Sequence, residues 1–257
     1  MAKPTVEISC ESRQDISSPE IGRQVIEALC ADPRTTPEYL DWAEPIKEPF
    51  KSVEDFVANW WGKTSIMKVS GEPEREVYEG LLWKRRRTPA HWGQVEFGSM
   101  PGHHIKMPAR ISLTSKWNEK ANFLPILRSW ASATQSRFGL LHVFTEVETR
   151  GKSYDRDHAH FEMGFFDGPN HPGIPNIGWA MYYGEEAAQS IDFEVIEQAG
   201  FPTERIGKAY LVRVTESIDD VVNDFPTFSR RRAELKALFP KDFFRIKAEP
   251  LIDMKLR

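Results

Sequence analysis

The sequence predicts an α+β protein with a mixed or mainly antiparallel sheet flanked by helices. Three observations predict this class. Runs rich in β-branched and aromatic residues cluster between residues 64 and 146 and return at 177–183 and 210–214. Apolar residues recur at helical spacing over 19–31, 119–137 and 226–239. The two kinds of segment mix irregularly, without the strict strand–helix alternation of a parallel α/β sheet. With 257 residues, 40% of them hydrophobic, the chain can bury a large core without staples. It divides into an N-terminal α+β half, 1–105, with an acidic, proline-broken segment, and a C-terminal α+β half, 106–257. One continuous compact domain is the alternative.

In chain order, residues 1–17 are polar and read as a strand or a loose arm. Ser18 followed by Pro19 is a helix start, and Ile21, Val25, Ile26 and Leu29 give 19–31 one apolar face. Pro33, Pro37, Pro45 and Pro49 make 32–51 an irregular acidic surface segment. Ser52 can cap a short helix carrying Val53, Phe56, Val57 and Trp60. Strands are expected at 64–70, 78–84, 92–98 and 110–115. In the last, Ile111 and Leu113 alternate with Arg110, Ser112 and Thr114. A helix over 119–137 presents Phe123, Leu124, Leu127, Trp130 and Ala131, and Gly139 precedes a buried strand at 140–146. Residues 147–176 read as a long polar loop, with 157–166 a candidate strand or short helix. A strand at 177–183 ends at Gly184, Asp192 starts a helix to 199, and 210–214 is a strand. The last helix, 226–239, turns Phe228, Leu235 and Leu238 inward and Arg230, Arg231, Arg232 and Lys236 mostly outward.

Cys10 and Cys30 are too few for a disulfide framework and read as reduced thiols, a bridge between them being the alternative. The start, MAKPTVEISCESRQD, lacks the apolar run of a secretory signal. No stretch approaches the ~20 apolar residues of a membrane span. A cytoplasmic protein without membrane contact is expected.

Net charge is −4, unevenly spread: residues 1–60 hold twelve acids against six bases. Glu38, Asp41, Glu44, Glu48, Glu54 and Asp55 form one acidic group, and Glu146, Glu148, Asp155 and Asp157 a second. Either is simple solubility or an anionic patch for a basic partner. His158 and His160 beside Asp157 are metal-ligand types, and with His142 they define the alternative function, a metal-dependent hydrolase. Their spacing matches no established zinc signature, and a hydrated polar segment is the plainer reading. His142, inside an apolar run, reads as a satisfied core histidine. Lys84-Arg85-Arg86-Arg87, near Trp83 and Trp92, has the residue types of a nucleic-acid contact but belongs to no recognition module. A solvated hairpin turn is expected there, and no direct nucleic-acid binding. Nucleophile elbows and phosphate-cradling loops are missing from the sequence. The expectation is a non-catalytic binding protein with no cofactor and no metal.

Residues 176–184, Asn-Ile-Gly-Trp-Ala-Met-Tyr-Tyr-Gly, followed by Phe193-Glu194-Val195-Ile196 and Tyr210-Leu211-Val212-Arg213-Val214, resemble the C-terminal part of the immunity protein 52 family and related type VI secretion immunity proteins. The resemblance spans about 110–245. It implies a cytosolic antitoxin that binds and neutralises a cognate secreted toxin with a restriction-endonuclease-like fold, a nuclease. Trp179, Tyr183 and Gly184 are the matching residues and read as structural: the rings fill the core and the glycine relieves a strand-to-helix turn.

Overall fold

The computed structural model describes residues 3–61, 64–67, 75–78, 80–98, 108–150, 154–166 and 173–250. Its first strand, β1 (Thr5–Ser12), lies at the centre of the main sheet and is buried along seven of its eight residues. The polar segment that read as a strand or loose arm is therefore the middle of the molecule. Helix α1 (Pro19–Cys30) starts where expected: the Ser18 hydroxyl accepts the Glu20 N–H, and Val25, Ile26 and Leu29 are buried. The 32–51 segment is more regular than expected. It forms β2 (Tyr39–Asp41) and β3 (Glu48–Pro49), a short hairpin added to the sheet edge and fixed by buried Leu40 and Ile46. Ser52 caps α2 (Val53–Ala58).

Strands β4 (Thr64–Met67) and β5 (Arg75–Tyr78) form a separate two-stranded sheet; residues 68–70 of the expected strand lie outside the described residues. β6 (Leu82–Arg85), β7 (His91–Glu96) and β8 (Ala109–Lys116) follow. The next helix, α3 (Leu124–Ala133), is shorter than the 119–137 pattern suggested. Pro125 disfavours a helical conformation at the residue before it and has no N–H to donate, so it can stand only in the first turn. After β9 (Phe138–Phe144), part of the expected long loop is helical: α4 (Glu146–Thr149) and α5 (Arg156–Glu162), capped by Asp155. The chain continues through β10 (Ala180–Tyr183), α6 (Glu185–Ala188), α7 (Phe193–Gln198, capped by Asp192), β11 (Thr203–Ile206), β12 (Ala209–Arg213), α8 (Asp220–Asn223) and α9 (Phe225–Lys236).

The ten-stranded sheet has the order β11-β12-β10-β9-β1-β8-β7-β6-β2-β3, with every neighbouring pair antiparallel. Strands from both halves of the chain interleave, β1 lying between β8 and β9. Side chains alternate across a strand, so each strand addresses both faces. One face meets α3, with α1 packed on α3 and α2 on α1, and Phe56 of α2 reaches Trp83 of the sheet. There Trp130 packs edge-on against Trp83 and donates to the Val25 carbonyl at 3.0 Å. The opposite face meets α5 and α9 over β9, where the His142 ring stacks on Phe161 and Phe228.

Trp179 and Tyr183 are core residues. The need for glycine at 184 is spatial: its φ is an ordinary −67°, but a Cβ would lie 2.1 Å from the Ser136 carbonyl oxygen. Cys10 and Cys30 are free thiols, and burial pushes Cys10 up to about 12, which leaves it unreactive. Among the described residues no helix is long and apolar enough to cross a membrane.

Candidate partner-binding surface

The α5/α9 face of the sheet is polar along its centre. Pairing places Tyr39, Lys84, Trp92, Thr114, Glu7 and His142 in one row across β2, β6, β7, β8, β1 and β9. At one end of the row His142 is fully buried; Trp92, towards the other, is 44% exposed. The row therefore crosses from a covered half-face to an open one.

The covered half is held by a buried charge network. The Trp179 backbone N–H donates to His142 Nδ1 at 3.1 Å, so the ring proton is on Nε2 and is donated to Glu148 at 2.9 Å. Arg232 donates to Glu148 at 2.7 Å and to Glu249 at 2.7 Å, and Lys236 donates to Glu249 at 2.6 Å. Burial opposes charge on Glu148, but the facing His142 and Arg232 hold its carboxyl down at about 2. Burial brings Lys236 down to about 8 against the pull of Glu249. Two expectations are corrected here. Arg232 is fully buried and Lys236 nearly so, where both were expected mostly outward. On α9 residue 232 follows Phe225 and Phe228 at helical spacing and precedes Leu235, so the third arginine of the run must turn inward.

Glu7 sits where cover gives way to solvent. Burial pushes its carboxyl up to about 8, although the Thr114 hydroxyl donates to it at 2.6 Å. The turn after α5 closes over it through Gly164, whose φ of +64° suits glycine and whose Cβ would meet the Ser9 Cβ at 2.4 Å. Further along, Arg110 donates to Glu96 at 2.8 Å and to the Met163 carbonyl at 3.0 Å, and lies over the Phe165 ring at 3.9 Å. Past this turn, the β7–β6–β2 part of the face carries exposed Trp92, half-buried Lys84 and Tyr39, and Arg86 over the Tyr39 ring at 4.7 Å.

The expected acidic patches separate. Asp41, Glu44 and Glu48 share the edge hairpin and have no ion-pair partner among the described residues. Glu38 turns back on the β6–β7 connection: partial burial opposes its charge, but Arg87 and the amides of Arg86 and Arg87 hold its carboxyl down at about 2. Glu54 pairs with Arg23 at 3.4 Å, and Asp55 is half-buried on α2. In the second group Glu148 is buried, so its place on an acidic surface is corrected. Glu146 pairs with Arg150, Asp155 caps α5, and Asp157 pairs with Arg245 at 2.9 Å.

The alternative hydrolase set does not converge. Both His142 ring nitrogens are committed, which leaves no lone pair for a metal. The His158 Nδ1 faces Asp155 at 3.0 Å, and His160 and Asp157 both meet Arg245. Among the described residues no three His, Cys, Asp or Glu side chains are placed to hold a metal ion. Trp83, a candidate for base stacking, is fully buried; Trp92 is the open one.

No protein-family model matches the chain, and no curated protein matches it. Among solved structures, a T6SS (type VI secretion system) protein of Pseudomonas aeruginosa aligns with a TM-score of 0.50 and 10% identity, over 82% of this chain. The chain spans 65% of that protein's length. At this identity the likeness is one of fold.

Proposed function

We propose that this chain is an immunity protein of a type VI secretion system. It acts in the cytosol, binds a cognate secreted toxin, a nuclease, and works by occlusion without turning over a substrate. The observation that carries the reading is the fold shared with the Pseudomonas aeruginosa T6SS protein over 82% of the chain. The resemblance of 176–184 and the following segments to the immunity protein 52 family supports the antitoxin role within such a system. The hairpin acids Asp41, Glu44 and Glu48 suit a nuclease, whose nucleic-acid groove is basic; opposite potentials speed encounter and penalise wrong partners.

The test is expression of the toxin encoded beside this chain's gene, alone and together with the chain, in a bacterial host. Restored growth, protected nucleic acid and co-purification of the two proteins are expected. Continued killing with the chain present and folded would overturn the reading. Reversing Asp41, Glu44 and Glu48 together to lysine should weaken the complex about tenfold or more if these acids meet the toxin.

A further inference from the structure

The open half-face has a charge opposite to that of the hairpin beside it. Lys84 stands directly opposite Trp92, and Lys116 lies two residues beyond Thr114 on β8, on the same face. Arg86, two residues beyond Lys84, covers the Tyr39 ring. Lys84 and Lys116 have no ion-pair partner among the described residues. Adjacent strands are ~4.8 Å apart, so from Tyr39 to Thr114 the patch is about 15 Å across.

Glu38, at the Arg86 end, is taken up by the Arg87 side chain and the Arg86 and Arg87 amides, and the other neighbouring acids lie away from Lys84 and Lys116. Glu7 is buried and hydrogen-bonded to Thr114. Glu96 is at the far end of β7, tied to Arg110, and Asp41 is opposite Leu82, displaced towards that same end. Glu162, on the α5 rim, accepts the Tyr154 hydroxyl. These strands lie inside the sheet, with their backbone groups already paired, so recognition here falls to side chains. Lysine and arginine stems can cover apolar surface while their heads stay in water. Aromatic residues and arginine are the usual anchors of protein interfaces.

We infer that the face around Trp92 docks a short acidic segment of the partner protein, with Lys84, Arg86 and Lys116 meeting its carboxylates and Trp92 packing on its apolar stems. This rests on the proposed role as a protein-binding antitoxin and adds a second contact of opposite sign to the hairpin. A short segment fits better than nucleic acid: a continuous phosphate backbone leaving the patch would meet Asp41 on one side and Glu162 on the other.

The test uses the full chain and fluorescence anisotropy. The probe is a fluorescein-labelled peptide of six glutamates flanked by leucines; hexalysine of the same design and oligo-dT are the comparisons. Binding of the acidic peptide at low salt is expected, weakened about fivefold or more by Trp92→Ala, by Lys84→Glu and by high salt. Lys208→Glu, at an exposed cation between β11 and β12, should leave it unchanged. Thermal melts check that each variant is folded. No acidic-peptide binding, or equal binding by the variants, overturns the inference. Tighter oligo-dT binding that Lys84→Glu abolishes would assign the face to nucleic acid and overturn it. Concentration-dependent dimerisation lost in Trp92→Ala would assign it to a second copy and overturn it. If the peptide fails while the wild-type chain still neutralises its toxin, the inference falls and the antitoxin role stands. If neutralisation fails, the role itself falls.

Discussion

The two halves of one sheet face use similar side chains to different ends. On the covered half, Glu148, Arg232 and His142 are buried and joined to half-buried Lys236 and Glu249. On the open half, Lys84, Lys116 and Trp92 stand on the same face of the sheet and have no such network. A buried charge must find its partner inside the molecule, because leaving it unpaired is costly. A half-exposed one can stay solvated and meet a partner from outside. The covered half should therefore govern stability and the open half binding.

The largest expected effect breaks the covered half. Arg232→Ala would remove the cation shared by Glu148 and Glu249, leaving them His142 and Lys236 alone, and should cost about 3–5 kcal/mol in urea unfolding. A loss below about 1 kcal/mol would mean the network does not clamp α9 to the sheet.

Next comes the boundary. The Glu7 carboxyl is raised in the folded protein from an ordinary 4.5 to about 8, so the folded state binds a proton that the unfolded chain releases. Its contribution is fully present below the ordinary carboxylate range and is lost as pH rises towards about 8, at up to roughly 1.4 kcal/mol per pH unit. Glu7→Gln should flatten that decline in unfolding experiments between pH 4.5 and 8; an unchanged slope would show that Glu7 is ionised in the fold.

Gly164→Ala should cost about 1–3 kcal/mol through backbone strain and the contact with Ser9, and limited proteolysis should then cut near α5 first. Equal resistance to protease would show that the turn is not what seals the covered half. The smallest expected effect is on the open half: Trp92→Ala should change stability by less than about 1 kcal/mol. A larger loss, measured by urea unfolding, would make Trp92 a packing residue and blur the comparison.

Local signals made much of this architecture legible. Ser18-Pro19 and Asp192 start helices because their side chains take up free N–H groups, a rule that needs no tertiary context. The central strand was obscure for the opposite reason. Val6, Ile8 and Cys10 alternate with Glu7, Ser9 and Glu11, which is the pattern of a half-exposed strand; the polar side is buried as well, with the turn after α5, distant in sequence, laid against Ser9 and Glu7 through Gly164. Arg232 was readable in principle, since residues 225, 228, 232 and 235 form one helical face, but composition marked the arginine run as solvated. Asp41, Glu44 and Glu48 stayed on the surface because a short edge hairpin leaves its side chains in water. Glu148 did not, because α4 follows the buried strand β9 and turns one side to it. Charge alone distinguishes neither case.

Calorimetric titration of Trp92→Ala with the toxin proposed as its partner tests the division of labour most directly. A melting temperature within about 3 °C of wild type and an affinity reduced about tenfold or more are expected. Undiminished affinity in a fully folded variant would contradict the claim that the open half-face meets the partner.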